Sequence, residues 1–119
     1  MGETPWPLEI RLKREERLLE IRFDDGQSFS LPAELLRVES PSAEVKGHGE
    51  GKTLVAGKRW VGIREVQPVG NYAVRLVFDD GHDTGIYSWR YLRGLAENQD
   101  KIWADYLAAL NDRGLDREL

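Results

Sequence analysis

The chain has 119 residues, of which 40% are hydrophobic and 32% charged, and this balance predicts one globular domain built around one core. Its 17 Lys and Arg residues are outnumbered by 21 Asp and Glu residues, and the net charge of −4, without a concentrated basic patch, argues against nucleic-acid binding. The absence of cysteine excludes disulfides, cysteine-based zinc sites, iron–sulfur ligation and thiol nucleophiles.

The first part of the chain alternates between apolar and polar residues, which is typical of half-buried strands. This alternation predicts a strand over residues 8–13, with Leu8, Ile10 and Leu12 on one face, and a second strand over residues 18–23. The Asp-Asp-Gly sequence that ends at Gly26 predicts a tight turn into a third strand. A short helix is expected over residues 32–37.

The middle of the chain begins with a glycine-rich stretch, residues 39–58, that predicts a long loop. A new strand starts near residues 60–66, and clean alternation predicts another over residues 72–78. A second Asp-Asp-Gly turn follows at residues 79–81, and a helix is expected over residues 88–95.

The last helix is indicated by a single apolar stripe at helical spacing. The stripe consists of Ile102, Trp103, Tyr106, Leu107 and Leu110. Gly114 is expected to end the helix, and the polar tail 116–119 is expected to fray. These patterns predict an α+β fold in which antiparallel β-hairpins form a small sheet, with short helices and a C-terminal amphipathic helix. Residues 1–119 form a single domain in this prediction, with a core from about 7 to 110 and flexible termini.

Two stretches of the chain resemble each other. Residues 19–26 and 74–81 both end in Phe-Asp-Asp-Gly, at an offset of 55 positions, and each precedes an apolar strand and a helix that contains Leu-Arg. The similarity predicts two related strand–turn–strand–helix units. The alternative is convergence, since hairpin turns favour the same residues in unrelated sequences.

His82 is the first candidate for chemistry, because it lies between the carboxylates of residues 79–80 and Asp83. An imidazole in this setting is a weak candidate for a metal ligand or a general base. The alternative is a turn histidine hydrogen-bonded to a neighbouring carboxylate or carbonyl. His48 contributes to such a site only if the glycine-rich loop folds back. The paired aspartates of both turns are expected to be too solvated to act as poised acids.

Aromatic and arginine residues alternate around the expected helix at residues 88–95. Tyr87 and Tyr91 flank Trp89, and Arg90 and Arg93 are interleaved with them. This composition is typical of binding hot spots, so we predict an exposed interaction surface that includes Tyr87, Arg90 and Arg93. The alternative is that the aromatic residues build the core.

Two segments together form a recognisable pattern. The first runs from Phe78 to Leu92 and contains Asp-Gly-His and Gly-Ile-Tyr-Ser-Trp, and the second is Leu-Leu-Arg-Val-Glu-Ser-Pro-Ser at residues 35–42. It resembles the gamma-butyrobetaine hydroxylase-like N-terminal domain family over residues from about 7 to 110. Members of that family precede the oxygenase domain of carnitine-pathway hydroxylases, are fused to P-loop scaffold ATPases of iron–sulfur assembly, or stand alone in bacteria. The catalytic iron and 2-oxoglutarate site lies in the other domain, so the resemblance implies no oxygenase activity.

In the hydroxylases this domain binds a structural zinc ion through three cysteines and one histidine. The resemblance places these ligands at Ser40, Ser42, Val45 and His82, of which only His82 is retained. Because a hydroxyl is a poor neutral ligand and valine is none, a tetrahedral zinc site is not expected. We expect hydrogen bonds and packing to replace the metal, with Ser40 or Ser42 bonded to His82.

These observations predict a non-catalytic accessory domain that needs no cofactor and binds another cytoplasmic protein, with no nucleic acid and no membrane as partner. The N-terminus lacks the apolar region of a signal peptide, and nothing approaches the roughly 18 apolar residues of a membrane helix. One alternative is a metal-binding module linked to iron–sulfur or oxygenase partners and centred on His82, with oxygen ligands from Glu39, Glu44 or Asp83. A further alternative is an enzyme whose site around His82 is not recognised.

Overall fold

A computed structural model of the chain describes residues 5–41 and 54–118. The described part is an α+β fold with six strands and three helices, as the sequence predicts. In chain order they are β1 Pro7–Lys13, β2 Leu18–Phe23, β3 Ser28–Pro32, α1 Ala33–Val38, β4 Ile63–Val69, β5 Ala73–Phe78, β6 Ile86–Ser88, α2 Trp89–Glu97 and α3 Gln99–Asp112. None of the described helices is both long enough and apolar enough to span a membrane.

The strands form two three-stranded antiparallel sheets instead of one, because each hairpin pairs within its own part of the chain. The strand orders are β1-β2-β3 and β4-β5-β6. The first strand of each sheet carries a register shift, between Pro7 and Glu9 in β1 and between Ile63 and Glu65 in β4. The shift in β1 interrupts the alternation, and Leu8 is 57% exposed instead of sharing a face with the partly buried Ile10 and Leu12.

The two Asp-Asp-Gly turns are built alike. Gly26 donates its N–H to the Phe23 carbonyl at 3.1 Å, and Gly81 donates to the Phe78 carbonyl at 3.2 Å. Both glycines have a left-handed backbone, with φ of 88° and 94°, which explains why glycine ends each turn. The fold therefore contains two similarly built units, each with three strands followed by a helix.

The two units are joined by a reciprocal pair of ion pairs. Arg93 of α2, in the second unit, binds Asp25 in the first unit's turn at 2.8 Å. Arg37 of α1, in the first unit, binds Asp80 in the second unit's turn at 2.8 Å. Each turn is thus held by the helix of the other unit, and we call these contacts the reciprocal ion pairs.

One hydrophobic core is shared by both sheets and by the first two helices. Its fully buried side chains include Phe23, Leu31, Leu36, Leu76, Phe78, Tyr87 and Leu92. A smaller cluster joins Val38 at the end of α1 to Tyr106 and Leu110 of α3. The apolar stripe predicted for the last helix therefore packs partly against the end of α1 and against residues 54–56, although Leu107 of that stripe is 39% exposed.

The C-terminal tail contacts the rest of the fold as far as Glu118, the last described residue. Arg117 donates two hydrogen bonds to the buried Glu34 carboxylate, at 2.9 and 2.7 Å, and its guanidinium lies 5.3 Å from the centre of the Trp103 ring. The Arg59 N–H also donates to the Arg117 carbonyl at 3.0 Å. The acidic partner on α1 could not be identified from the polar composition of the tail.

We predict that Arg93→Gln lowers the free energy of unfolding by about 2 kcal/mol, because the buried guanidinium binds Asp25 and lies over the Phe23 and Phe29 rings. Arg90→Gln is the matched control, since Arg90 is exposed on the same helix. Urea unfolding of both variants provides the measurement. Equal loss of stability in the two would contradict a joining role for the reciprocal ion pairs.

Candidate functional site

His82 lies where the two units meet. It follows the second Asp-Asp-Gly turn, and its Nε2 is 3.0 Å from the hydroxyl of Ser40, which comes shortly after α1 and is 2% exposed. The predicted hydrogen bond between Ser40 and His82 is therefore confirmed. Ser42, the other serine considered for this role, lies outside the described residues.

Ser40 extends this contact into a buried hydrogen-bonded chain. The Tyr87 hydroxyl donates to the Leu36 carbonyl, and the Tyr87 oxygen is also bonded to the Ser40 side chain. Ser40 therefore stands between the imidazole of His82 and the phenol of Tyr87. Burial raises the pKa of the Tyr87 phenol, so the ring stays neutral.

Gly85 makes room for this chain. A Cβ atom at position 85 would collide with the Ser40 hydroxyl and lie 3.1 Å from Cε1 of Tyr87. The absence of a side chain there lets β6 approach the segment after α1 closely. The glycine in the Asp-Thr-Gly-Ile-Tyr sequence thus has a packing role that turn chemistry alone does not indicate.

Asp80 stands beside His82 in a cationic environment. Its carboxylate accepts hydrogen bonds from Arg37 at 2.8 Å, Lys58 at 2.6 Å and the His82 backbone N–H at 3.0 Å. Partial burial raises the pKa of Asp80, but the hydrogen bonds from Lys58, His82 and Arg37 outweigh it and lower the pKa to about 2. Asp80 is therefore ionised at neutral pH and cannot serve as a general acid.

The residues in the position of the family's zinc site do not fit a zinc ion. Nε2 of His82 is hydrogen-bonded to the Ser40 hydroxyl, and a serine hydroxyl is a poor neutral zinc ligand. Ser42 and Val45, the other two positions, lie outside the described residues, as do Glu44 and His48. Within residues 5–41 and 54–118, no group of three or more His, Cys, Asp or Glu side chains could hold a metal ion.

The two remaining oxygen candidates do not assemble with His82 into such a group. The Asp83 carboxylate is 3.7 Å from the Arg75 guanidinium. The backbone carbonyl of Glu39 accepts a hydrogen bond from the Tyr91 hydroxyl. Burial, the larger cause, and the nearby Glu39 charge, the smaller one, raise the pKa of Tyr91 to about 12. The arrangement around His82 is suited to holding the two units together.

The predicted interaction surface is only partly exposed. Tyr87 has no exposed surface and Arg93 is 7% exposed, so the prediction that they share an exposed face with Arg90 is wrong for these two residues. The Tyr87 ring is part of the shared core, and the Arg93 guanidinium binds Asp25 of the other unit. Arg90 is exposed as predicted.

Two further aromatic residues, Trp6 and Tyr72, lie at the surface near Trp89. Trp6 and Trp89 make an edge-to-face contact with ring centres 6.3 Å apart, and the Trp89 N–H groups donate to the carbonyls of Asn71 at 3.0 Å and Tyr72 at 3.2 Å. Trp6 is 48% and Tyr72 57% exposed. We call Trp6, Tyr72, Trp89 and Arg90 the aromatic–arginine face. Sequence reasoning missed Trp6 and Tyr72 because neither is close to Trp89 along the chain.

Comparisons with known proteins agree with this fold. The family model described as "Gamma-butyrobetaine hydroxylase-like, N-terminal" matches residues 10–93. One NMR solution structure is of a protein 56% identical, with a TM-score of 0.85 and coverage of 98% of this chain and 88% of the other. A second is 47% identical, with a TM-score of 0.86 and coverage of 98% and 92%.

A crystal structure from Acidithiobacillus ferrooxidans is also similar. That protein has unknown function, belongs to the DUF971 family and is 47% identical, with a TM-score of 0.65 and coverage of 76% of this chain and 91% of the other. No curated protein matches the chain.

We predict that Asp80→Asn removes a pH dependence of stability. Because the pKa of Asp80 is lowered from 3.8 to about 2 by folding, its contribution of about 2 kcal/mol is present above a pH of about 4 and is lost as the pH falls toward about 2. Unfolding free energies measured across this range should therefore fall less steeply for the variant. The exposed Asp112 supplies the control, and Asp112→Asn should retain the wild-type slope.

We also predict that metal removal leaves the fold unchanged. Protein purified without an affinity tag or chelator should carry less than about a tenth of an equivalent of zinc. A structural zinc site contributes directly to folding, so its removal would lower the Tm. We expect EDTA to leave the Tm unchanged. Stoichiometric zinc by elemental analysis, together with a Tm lowered by EDTA, would contradict this prediction.

Proposed function

The chain belongs to the gamma-butyrobetaine hydroxylase-like N-terminal family, and on this premise we propose that it is a non-catalytic accessory domain that binds another protein in the cytoplasm. The observation that carries the proposal is the aromatic–arginine face. Tryptophan, tyrosine and arginine dominate binding hot spots, since they combine a large apolar area with hydrogen-bonding or charged groups. The face combines all three residue types, with Arg90 following Trp89 along the chain.

The arrangement of the face favours binding. Trp89 is fixed by its hydrogen bonds to two turn carbonyls and by its contact with Trp6, so little side-chain entropy is lost when a partner covers it. Trp6 and Tyr72 leave about half of their surface in solvent, and burying aromatic area of this kind supplies the main gain in association. Arg90, the residue after Trp89, adds an exposed charged group.

The chemistry around His82 supports a non-catalytic role. Asp80 is ionised and bound by Arg37 and Lys58, and the Tyr87 phenol is neutral and buried. His82 has its Nε2 engaged with Ser40. These groups have partners that stabilise the junction between the two units, whereas a catalytic base requires a poised pKa and access to substrate.

A purification experiment tests the proposal. Wild-type protein is used to capture partners from an extract of its source organism, in parallel with Trp6→Ala/Arg90→Ala and with the control Leu107→Ala/Arg113→Ala. The control also removes an exposed apolar residue and an arginine, but from the C-terminal region. We expect one stoichiometric partner that the first variant loses by at least about tenfold and the control retains.

Two results would count against the interaction domain. The first is the absence of any stoichiometric partner on wild-type protein. The second is a partner that stays on the Trp6→Ala/Arg90→Ala variant, or that both variants lose equally. Circular dichroism of each variant shows whether the fold is intact before capture is compared.

A further inference from the structure

A further exposed aromatic residue lies in the segment that leads into β4. Trp60 is 62% exposed, the largest exposed fraction among the large hydrophobic residues of the described part. The guanidinium of Arg17 lies 5.8 Å from the centre of its ring, and that of Arg59 lies 5.2 Å away. Arg17 also donates from Nε to the Trp60 carbonyl at 3.1 Å, which fixes the turn between β1 and β2 against this segment.

This surface and the aromatic–arginine face occupy related places in the two units. Ala33, the first residue of α1, donates its N–H to the Arg17 carbonyl at 2.9 Å, as Trp89, the first residue of α2, donates to Tyr72 at 3.2 Å. Arg17 therefore takes the position in the first unit that Tyr72 takes in the second. The same backbone arrangement carries a cation in one unit and an aromatic ring in the other.

Arg14 adds a further guanidinium to the same turn. Its Nε and Nη2 donate to the Arg64 carbonyl at 3.0 and 2.8 Å, and the Arg17 N–H donates to the Arg14 carbonyl at 3.2 Å. These carbonyls fix the orientation of the guanidinium groups but do not neutralise them. The remaining N–H groups of Arg14 and Arg17 are held in place without the ordering cost of a free arginine.

We propose that Arg14, Arg17, Arg59 and Trp60, the arginine–tryptophan patch, bind an acidic segment of a partner protein. The protein's own Glu118 indicates the ligand chemistry, because its carboxylate binds Nη1 of Arg59 at 2.7 Å. The two side chains of this pair are 39% and 52% exposed, so the contact is screened by water and exchanges readily. An incoming carboxylate finds planar, oriented donors of the geometry that favours bidentate binding.

A nucleic acid suits the patch less well. Two guanidinium groups already contact the Trp60 ring, where a stacking base would need an open face. Three arginines neutralise few of the closely spaced phosphates of a nucleic acid. The patch is separate from the aromatic–arginine face, so the inference goes beyond the proposed function and is tested with different residues.

The test uses fluorescence anisotropy of a labelled 12-residue peptide of alternating Glu and Ala, at about 50 mM salt to limit screening. Two probes serve as comparisons. One is the same peptide with Gln in place of Glu, and the other is a single-stranded oligonucleotide with about as many units, 12 nucleotides. We expect the acidic peptide to bind wild-type protein, and Arg14→Gln/Arg17→Gln to bind it about tenfold more weakly. The control Arg11→Gln/Arg22→Gln, which removes two exposed arginines from strands of the first sheet, should bind like wild type.

Glu118→Gln tests the patch from the opposite direction, without altering Arg14 or Arg17. Removing the competing carboxylate frees Arg59, so affinity for the acidic peptide should rise about threefold. The proposal is overturned if wild-type protein fails to bind the acidic peptide, if the Gln peptide or the oligonucleotide binds equally well or better, or if Arg11→Gln/Arg22→Gln weakens binding as much as Arg14→Gln/Arg17→Gln. Unchanged or weaker binding by Glu118→Gln overturns it as well.

Discussion

The reciprocal ion pairs are the constraint on which the rest of the structure depends. An Asp-Asp-Gly turn offers a carboxylate at the tip of a hairpin, where water would normally solvate it. Here the helix of the other unit supplies an arginine to each tip, Arg93 to Asp25 and Arg37 to Asp80. The arginine at Asp25 holds the pKa of that carboxyl below its ordinary value. Each turn carboxylate thus accepts a backbone N–H of its own unit and an arginine of the other unit, and the ion pairs hold the two sheets against each other around one core.

The junction around His82 follows from this arrangement. Arg37 positions the end of α1 against the turn that contains Asp80, and Ser40 is thereby placed beside His82. The family's zinc ion would link the same two segments through cysteine ligands. In this chain the link consists of hydrogen bonds that involve His82, Ser40, Tyr87 and the Leu36 carbonyl. Such bonds restrain direction as well as distance.

The extent of successful prediction reflects which forces are local. Turn chemistry and periodicity are local, so the hairpins, the helices and the similarity of the two units could be derived from the sequence. The bond from Ser40 to His82 was predictable because the family pattern aligns both positions. The burial of Tyr87 and Arg93 was not, since it depends on packing between units. The contact of Arg117 with Glu34 could not be predicted for the same reason, since the two residues are 83 positions apart.

A fold made of two similar units separates positions that must stay alike from positions that are free to differ. The turn glycines Gly26 and Gly81 require a left-handed backbone, and Arg37 and Arg93 must each reach a carboxylate in the other unit. These contacts constrain the buried side of each unit. At the exposed turns only the backbone bonds to Ala33 and Trp89 are fixed, so one turn presents arginine and the other tyrosine. Two surfaces of different chemistry then stand on one scaffold.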